Sequence, residues 1–184
     1  MDTFIEQIVR KKKGIKEWAI IVGVLLAAVV LTALVWIFGI LPVIVTVGVV
    51  YGAWWLISGQ SSEYEYCVTN GDIDIDQIIA RRKRRRLVSV AGRKVESLLP
   101  YDPAKPQGVY QRIVVAAPSL DADGLWIFTY HSKKNGHTQV VFQPEPRVLQ
   151  ALYGGLPKLV QMDTVRAARE MGIELTVNRS SHEE

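Results

Sequence analysis

Residues 18–62 read WAIIVGVLLAAVVLTALVWIFGILPVIVTVGVVYGAWWLISGQSS, a run of 45 without one Asp, Glu, Lys, Arg or His. As one helix the run would be about 68 Å long, more than twice a hydrocarbon core of about 30 Å, so the reading is that it folds back on itself. Gly39-Ile40-Leu41-Pro42 supplies the break, because a Pro suits the start of a second helix and penalises an interior. Two spans result, Trp18 to Phe38 and Leu41 to Ile57, and together they return the chain to its starting side. The stretch speaks to location and architecture rather than to a specific activity.

Working outward, Thr3 to Lys13 has two equal readings: a short amphipathic helix, with Phe4, Ile5, Ile8 and Val9 at helical spacing, or a frayed N-terminus whose lysines anchor the first span, since eleven residues are marginal for an isolated helix. It belongs to a basic lead-in over 1–17, where Lys11, Lys12, Lys13 and Lys16 are candidate interfacial lysines. A Lys/Arg cluster beside the first span predicts a cytoplasmic N-terminus, and an even number of spans places the following domain there too. A cleaved signal peptide would have a shorter apolar core and a small-residue cleavage pattern, which is not found. Trp18, Trp36, Trp54 and Trp55 fall near the ends of the spans, the depth that amphipathic rings favour. Gly48 and Gly52 form a small-xxx-small spacing that would let the first span pack closely on the second.

After Ser58-Gly59-Gln60-Ser61-Ser62 the period changes to two. Tyr64, Tyr66 and Val68 alternate with Glu65 and Cys67, Thr69-Asn70-Gly71-Asp72 is a turn, and Ile73 and Ile75 alternate with Asp72, Asp74 and Asp76, which predicts a hairpin. Further strands are expected at Arg86 to Ala91, Lys94 to Leu99, Val109 to Ala117, Leu125 to His131 and His137 to Gln143. Pro144-Glu145-Pro146 then opens a helix with Val148, Leu149 and Leu152 on one face, closed by Gly154-Gly155. The expected fold class is α+β: a two-helix transmembrane hairpin over 18–57, then a small seven-stranded antiparallel barrel over 63–156 capped by a helix. Within the extension 157–184, the reading expects Asp163 to cap a helix from Thr164 to Met171, Ile173 to Val177 to form a strand or arm, and the polar Asn178 to Glu184 to be disordered.

Seven antiparallel strands closed by one helix resemble the bacterial pleckstrin-homology-like (PH-like) domain. The pattern Tyr66-Cys67-Val68-Thr69-Asn70-Gly71-Asp72-Ile73 followed by Arg84 to Val90 is similar to its first three strands in a family of uncharacterised bacterial two-span membrane proteins. In relatives of the fold that bind phosphoinositides, basic residues gather around the first strand-to-strand turn. The turn matched here is Asn70-Gly71-Asp72, bordered by Asp74 and Asp76, so the resemblance does not carry an inositide site across.

The net charge of +4 is segregated along the chain. Arg81, Arg82, Lys83, Arg84, Arg85 and Arg86 form an unbroken basic run, read as a turn between the second and third strands. Six adjacent cations need anionic company or full hydration. Anionic lipid headgroups are the preferred reading, since the spans already hold the run near a leaflet and each cation there contributes on the order of 1 kcal/mol. The bland alternative is a solvated turn partly neutralised by Asp72, Asp74 and Asp76. Nucleic acid is disfavoured because no aromatic stacking platform is interleaved with the run.

No catalytic, cofactor or metal site is expected. Asp72, Asp74 and Asp76 lie on an extended strand that cannot wrap calcium, and Asp121-Ala122-Asp123-Gly124 lacks the remaining ligands of a calcium loop. His131, His137 and His182 show no zinc spacing with Cys67, and that lone cysteine reads as a small buried strand residue. No nucleophile elbow, phosphate loop or dinucleotide fingerprint is present. The sequence thus points to a non-enzymatic, membrane-anchored cytoplasmic binding or scaffolding module, with anionic lipid or a membrane protein as partner. The competing reading is a structural subunit of a larger membrane complex.

Overall fold

The computed structural model describes residues 4–39, 42–104 and 108–176. The tail from Asn178 to Glu184, with His182, lies outside them, as do Ile40 and Leu41 of the expected break. The element order is β1 (Phe4–Arg10), α1 (Ile15–Phe38), α2 (Pro42–Ser58), β2 (Ser62–Thr69), β3 (Asp72–Ile79), β4 (Lys83–Val90), β5 (Val95–Pro100), β6 (Arg112–Ala116), β7 (Trp126–Ser132), β8 (Gly136–Phe142), α3 (Pro146–Tyr153) and α4 (Lys158–Glu170). The chain forms two compact units, one drawn from Met1–Arg10, Glu63–Gln77 and Arg85–Glu184, the other from Lys11–Ser62 and Ile78–Arg84.

The first correction concerns residues 4–10, which form a strand, neither an amphipathic helix nor a frayed terminus. β1 pairs antiparallel with β2 from Phe4↔Thr69 to Arg10↔Glu63. Val9 is buried in the core and Ile5 packs against it, while Phe4 and Ile8 stay exposed. Gln7 is also buried, and its amide is engaged at both ends: Nε2 donates to the Gln143 carbonyl (3.0 Å) and Oε1 accepts from the Glu145 amide (2.8 Å). Phe4, Ile5, Ile8 and Val9 fit a helical stripe, but pairing with β2 satisfies every second backbone group, and that tertiary gain decides the matter.

The second correction is that the strands make two four-stranded sheets, ordered β1-β2-β3-β4 and β5-β7-β8-β6, and not a closed seven-stranded barrel. The second sheet is also mixed, since β6 runs parallel to β8 from Arg112↔Thr138 to Ala116↔Phe142. Pro100 ends β5, and the long Pro/Gly-containing connection after it lets β6 reach the far edge instead of forming a hairpin. The expected β2–β3 hairpin is present, with Asn70 (φ 52°) and Gly71 (φ 84°) both left-handed, as a type I′ turn requires.

One buried core draws on both sheets and on α3 and α4. Phe142 meets Phe128 edge-on at 5.2 Å and Tyr66 at 5.7 Å, geometries that aromatic quadrupoles favour. The Tyr66 hydroxyl donates to the Ala116 carbonyl and accepts from the Gln143 amide, and burial pushes the phenol well above its ordinary pKa. Pro146 sits at the first turn of α3, which buries Val148, Leu149 and Leu152. Gly71 and Gly155 approach so closely that a Cβ on Gly155 would lie 2.6 Å from the Gly71 Cα.

α4 begins after Pro157, six residues before Asp163, so Asp163 is interior and caps nothing. Val160, Thr164 and Ala168 are buried at a spacing of four, and the Thr164 hydroxyl donates to the Leu98 carbonyl (2.9 Å). The segment 173–176 is an arm, with Ile173 and Leu175 on the core and the Thr176 amide donating to Gln150 Oε1 (3.0 Å).

In the other unit, α1 is long and apolar enough to cross a membrane, and almost none of it is buried within the protein. α2 is a shorter apolar helix, and Trp36 Nε1 on α1 donates to Thr46 Oγ1 on α2 (3.3 Å). The expected glycine packing is absent here. Gly48 is exposed, Gly52 lines a cleft against Ala27 and Ala28, and a Cβ on either glycine would meet nothing within 4 Å.

Because β1 is integral to the first sheet, Gln7→Leu should strand a carbonyl and an amide that the wild-type side chain satisfies. The expected cost is about 1–3 kcal/mol of unfolding free energy, read by chemical denaturation. Unchanged stability would mean that the two Gln7 hydrogen bonds contribute nothing to the domain.

Candidate membrane-interface site

The basic run is split between a turn and a strand. Arg81 and Arg82 lie in the β3–β4 turn, whereas Lys83, Arg84, Arg85 and Arg86 are the first four residues of β4. Ala80 and Arg81 both have φ of 55°, and the Arg82 amide donates back to the Ile79 carbonyl (3.0 Å), so the turn is type I′ built without glycine. Left-handed backbone costs a non-glycine residue roughly 1–2 kcal/mol, which makes this the strained corner of the hairpin.

Arg82 is the best-defined cation of the run. Its guanidinium carbon stands 5.6 Å from the Trp54 ring centroid and 6.0 Å from that of Trp55, and Nη2 donates to Ser58 Oγ (3.3 Å). Cation–π contacts at exposed positions contribute about 0.5–1 kcal/mol each and also fix where the charge sits. Trp54 and Trp55 project from the last turns of α2, which ends at Ser58. The Ala80 amide donates to the Ser61 carbonyl (2.8 Å), and the Lys11 amide to the Ser62 carbonyl (2.9 Å).

The N-terminal lysines belong to the same compact unit. Lys11, Lys12 and Lys13 occupy the exposed segment between β1 and α1, and Lys16 is in the first turn of α1. Lys11 Nζ pairs with Glu17 Oε1 (3.0 Å), and Glu17 Oε2 accepts from the Gly14 amide (3.0 Å), which caps the helix start. The unit therefore holds eight cations, Lys11, Lys12, Lys13, Lys16, Arg81, Arg82, Lys83 and Arg84, against one carboxylate, Glu17.

Arg86 plays a different part. Its Nε lies 2.6 Å from Asp76 Oδ1 and its Nη1 3.0 Å from Asp74 Oδ2, and Asp76 is buried. Asp72 accepts from the Gly92 amide (3.0 Å). The alternating carboxylates of β3 are thus engaged in holding β4 and the residues after it. Among the candidate lipid contacts Arg86 is a structural ion pair, a role visible in sequence only as Asp alternation beside an Arg run.

His131 and His137 are cross-strand partners with ring centroids 4.8 Å apart, and His137 Nδ1 is 3.6 Å from Glu96 Oε2. Among the described residues no group of three potential ligands converges on a metal position. The matching of the first strand-to-strand turn to Asn70-Gly71-Asp72 also shifts. With β1 in place, the first connection between strands is the segment between β1 and β2, which contains α1, α2 and the lysine cluster.

Arg86→Gln should lower unfolding free energy by about 1–2 kcal/mol, because it leaves the buried Asp76 carboxylate short of its partner. Arg85→Gln, which removes an exposed cation, should stay within about 0.5 kcal/mol of the parent in the same denaturation experiment. Equal effects would contradict the division of roles.

No curated protein and no solved structure matches the chain. A family model described as a bacterial PH-like domain (DUF6106) matches residues 1–162, taking in the lysine cluster, both apolar helices, both sheets and the start of α4, and the chain belongs to that family.

Proposed function

We propose that the protein is a non-enzymatic, membrane-anchored binding or scaffolding module whose basic turn and lysine cluster engage anionic lipid headgroups at the cytoplasmic face. The observation that carries this reading is the composition of one compact unit: two apolar helices, a pair of tryptophans, and eight cations against one carboxylate. Tryptophans favour the headgroup depth, and a guanidinium stacked on them meets phosphate there while its stem stays on apolar surface. The lysines add attraction that falls off within a Debye length.

A two-span anchor is supported by chain closure. β1 and β2 are paired neighbours, so the insert between them begins and ends at adjacent points. A single crossing would leave the two strands on opposite sides of the bilayer. Removal of α1 as a leader is disfavoured for the same reason, since β1 precedes it and would be lost. The lysines beside α1 favour a cytoplasmic side for both ends of the insert and for the domain with them. The alternative, a structural subunit of a larger complex, is favoured by the exposed Gly48 on α2, where another helix could approach.

The lipid reading is tested with the full chain in nanodiscs, comparing quenching of tryptophan fluorescence by brominated phosphatidylglycerol and by brominated phosphatidylcholine. The anionic lipid should quench more strongly at low salt. The preference should shrink as the Debye length falls from about 10 Å at 0.1 M to about 3 Å at 1 M, and replacement of Arg82, Arg84 and Arg85 by Gln should remove most of it. Equal quenching by the two lipids at low salt would end the proposal.

Topology is tested by a Cys at the exposed Lys134 in a Cys67→Ser background. An impermeant maleimide should label it only after cell lysis. Labelling of intact cells would overturn the cytoplasmic placement.

A further inference from the structure

The two groups of cations in the helical unit are pinned to one piece of backbone. The Lys11 amide donates to the Ser62 carbonyl (2.9 Å), and the Ala80 amide donates to the Ser61 carbonyl (2.8 Å). Successive carbonyls of an extended chain point to opposite sides, so residues 11–13 and 81–84 form two basic banks that flank the Ser61–Ser62 segment. Hydrogen-bonded neighbours stand about 4.7–4.9 Å apart, which sets the banks about 10 Å from each other at the backbone.

Each bank is held in place. Glu17 Oε1 pairs with Lys11 Nζ (3.0 Å) and its Oε2 accepts from the Gly14 amide (3.0 Å), so the exposed Lys12 and Lys13 sit on a short segment fixed at both ends. Glu17 is also the one carboxylate of the unit, and both its oxygens are engaged. On the other side the Arg82 guanidinium rests against Trp54, Trp55 and Ser58 Oγ, with the exposed Lys83 next to it in sequence.

Charge density alone has no use for this arrangement. A flexible polybasic tail responds to how many anions surround it, whereas fixed banks respond to how the anions are joined. Lysine ammoniums meet a phosphate as point charges, and the Arg82 fork has N–H groups beyond the one that Ser58 takes. Two phosphates on one short headgroup meet both banks for the ordering of a single molecule, while two separate lipids must be ordered individually.

We propose that the two banks bind one lipid carrying two phosphates on a glycerol bridge, the chemistry of cardiolipin, in preference to lipids with a single phosphate. The inference rests on the anionic-lipid reading above and adds a headgroup to it.

The test uses the full chain in phosphatidylcholine nanodiscs that contain a fixed small fraction of brominated phosphatidylglycerol, with tryptophan quenching as the readout. Unlabelled cardiolipin, or unlabelled phosphatidylglycerol, then replaces part of the phosphatidylcholine as competitor. Cardiolipin should relieve the quenching at about one third of the phosphate or less, a small share of the gain that linking two binding groups allows. Lys12→Gln with Lys13→Gln, and separately Arg82→Gln with Lys83→Gln, should each abolish that excess, because a single bank meets a single phosphate. Lys133→Gln with Lys134→Gln removes the same charge from the exposed β7–β8 turn of the other unit and should preserve it. Soluble pyrophosphate at the same phosphate concentration should relieve little of the quenching. If brominated phosphatidylglycerol quenches no more than brominated phosphatidylcholine, the lipid reading and this proposal fall together. With that preference intact, any of four results would overturn the proposal alone: equal competition by the two anionic lipids at matched phosphate, survival of the excess in both double variants, its loss in the Lys133 and Lys134 variant, or competition by pyrophosphate as strong as by cardiolipin.

Discussion

The pairing of β1 with β2 is the constraint on which the rest of the architecture depends. It joins Phe4–Arg10 to residues that follow the whole apolar insert, and the Lys11 amide carries the ladder one step further to Ser62. Neighbouring strands stand about 4.7–4.9 Å apart, so the insert leaves and re-enters the sheet at almost one point. Whatever the helices do in between, they must come back. The break near Gly39, where the chain turns left-handed at φ 67°, answers a demand that the strand pair makes. The sheet in turn relies on the strand, since Gln7 satisfies the backbone leading into α3.

Charge follows the same division. The cations that accompany the helices are almost unopposed, whereas β3 and β4 hold Arg86 between two carboxylates. Neighbours in sequence thus carry different physics. Arg82 gains little from burial and is placed by aromatic rings, while Arg86 is placed by ion pairs that also knit the hairpin. Two cations four positions apart in one basic run are thus held by different means.

Much of this was legible in the residues. The NG turn, the alternation on either side of it and the helix opened at Pro146 rest on local periodicity, and the structure places them within a residue or two of expectation. β1 was not legible. Its inward residues are Ile5, Gln7 and Val9, so a glutamine interrupts the apolar alternation, while Phe4, Ile5, Ile8 and Val9 mimic a helical stripe. The partner that settles the period lies about sixty residues away in sequence. β6 is a similar case: five residues long, it reaches a parallel position through a connection whose path no local signal specifies. Of the candidate contacts, the stacking of Arg82 on Trp54 and Trp55 joins residues whose types were informative but whose proximity was not.

The insertion of the helices between paired strands also sets an order of events during synthesis. β1 leaves the ribosome before β2, and that partner follows only after residues 11–61 have been made. At about 5–20 residues per second that is a wait of roughly 3 to 10 s, with an unpaired strand edge and the exposed Phe4 and Ile8 exposed to other chains. β1 cannot pair with β2 until the apolar helices between them have been made, so closure of the first sheet waits on the whole insert. An insert that failed to bring its two ends together would show in the domain itself as an open sheet edge.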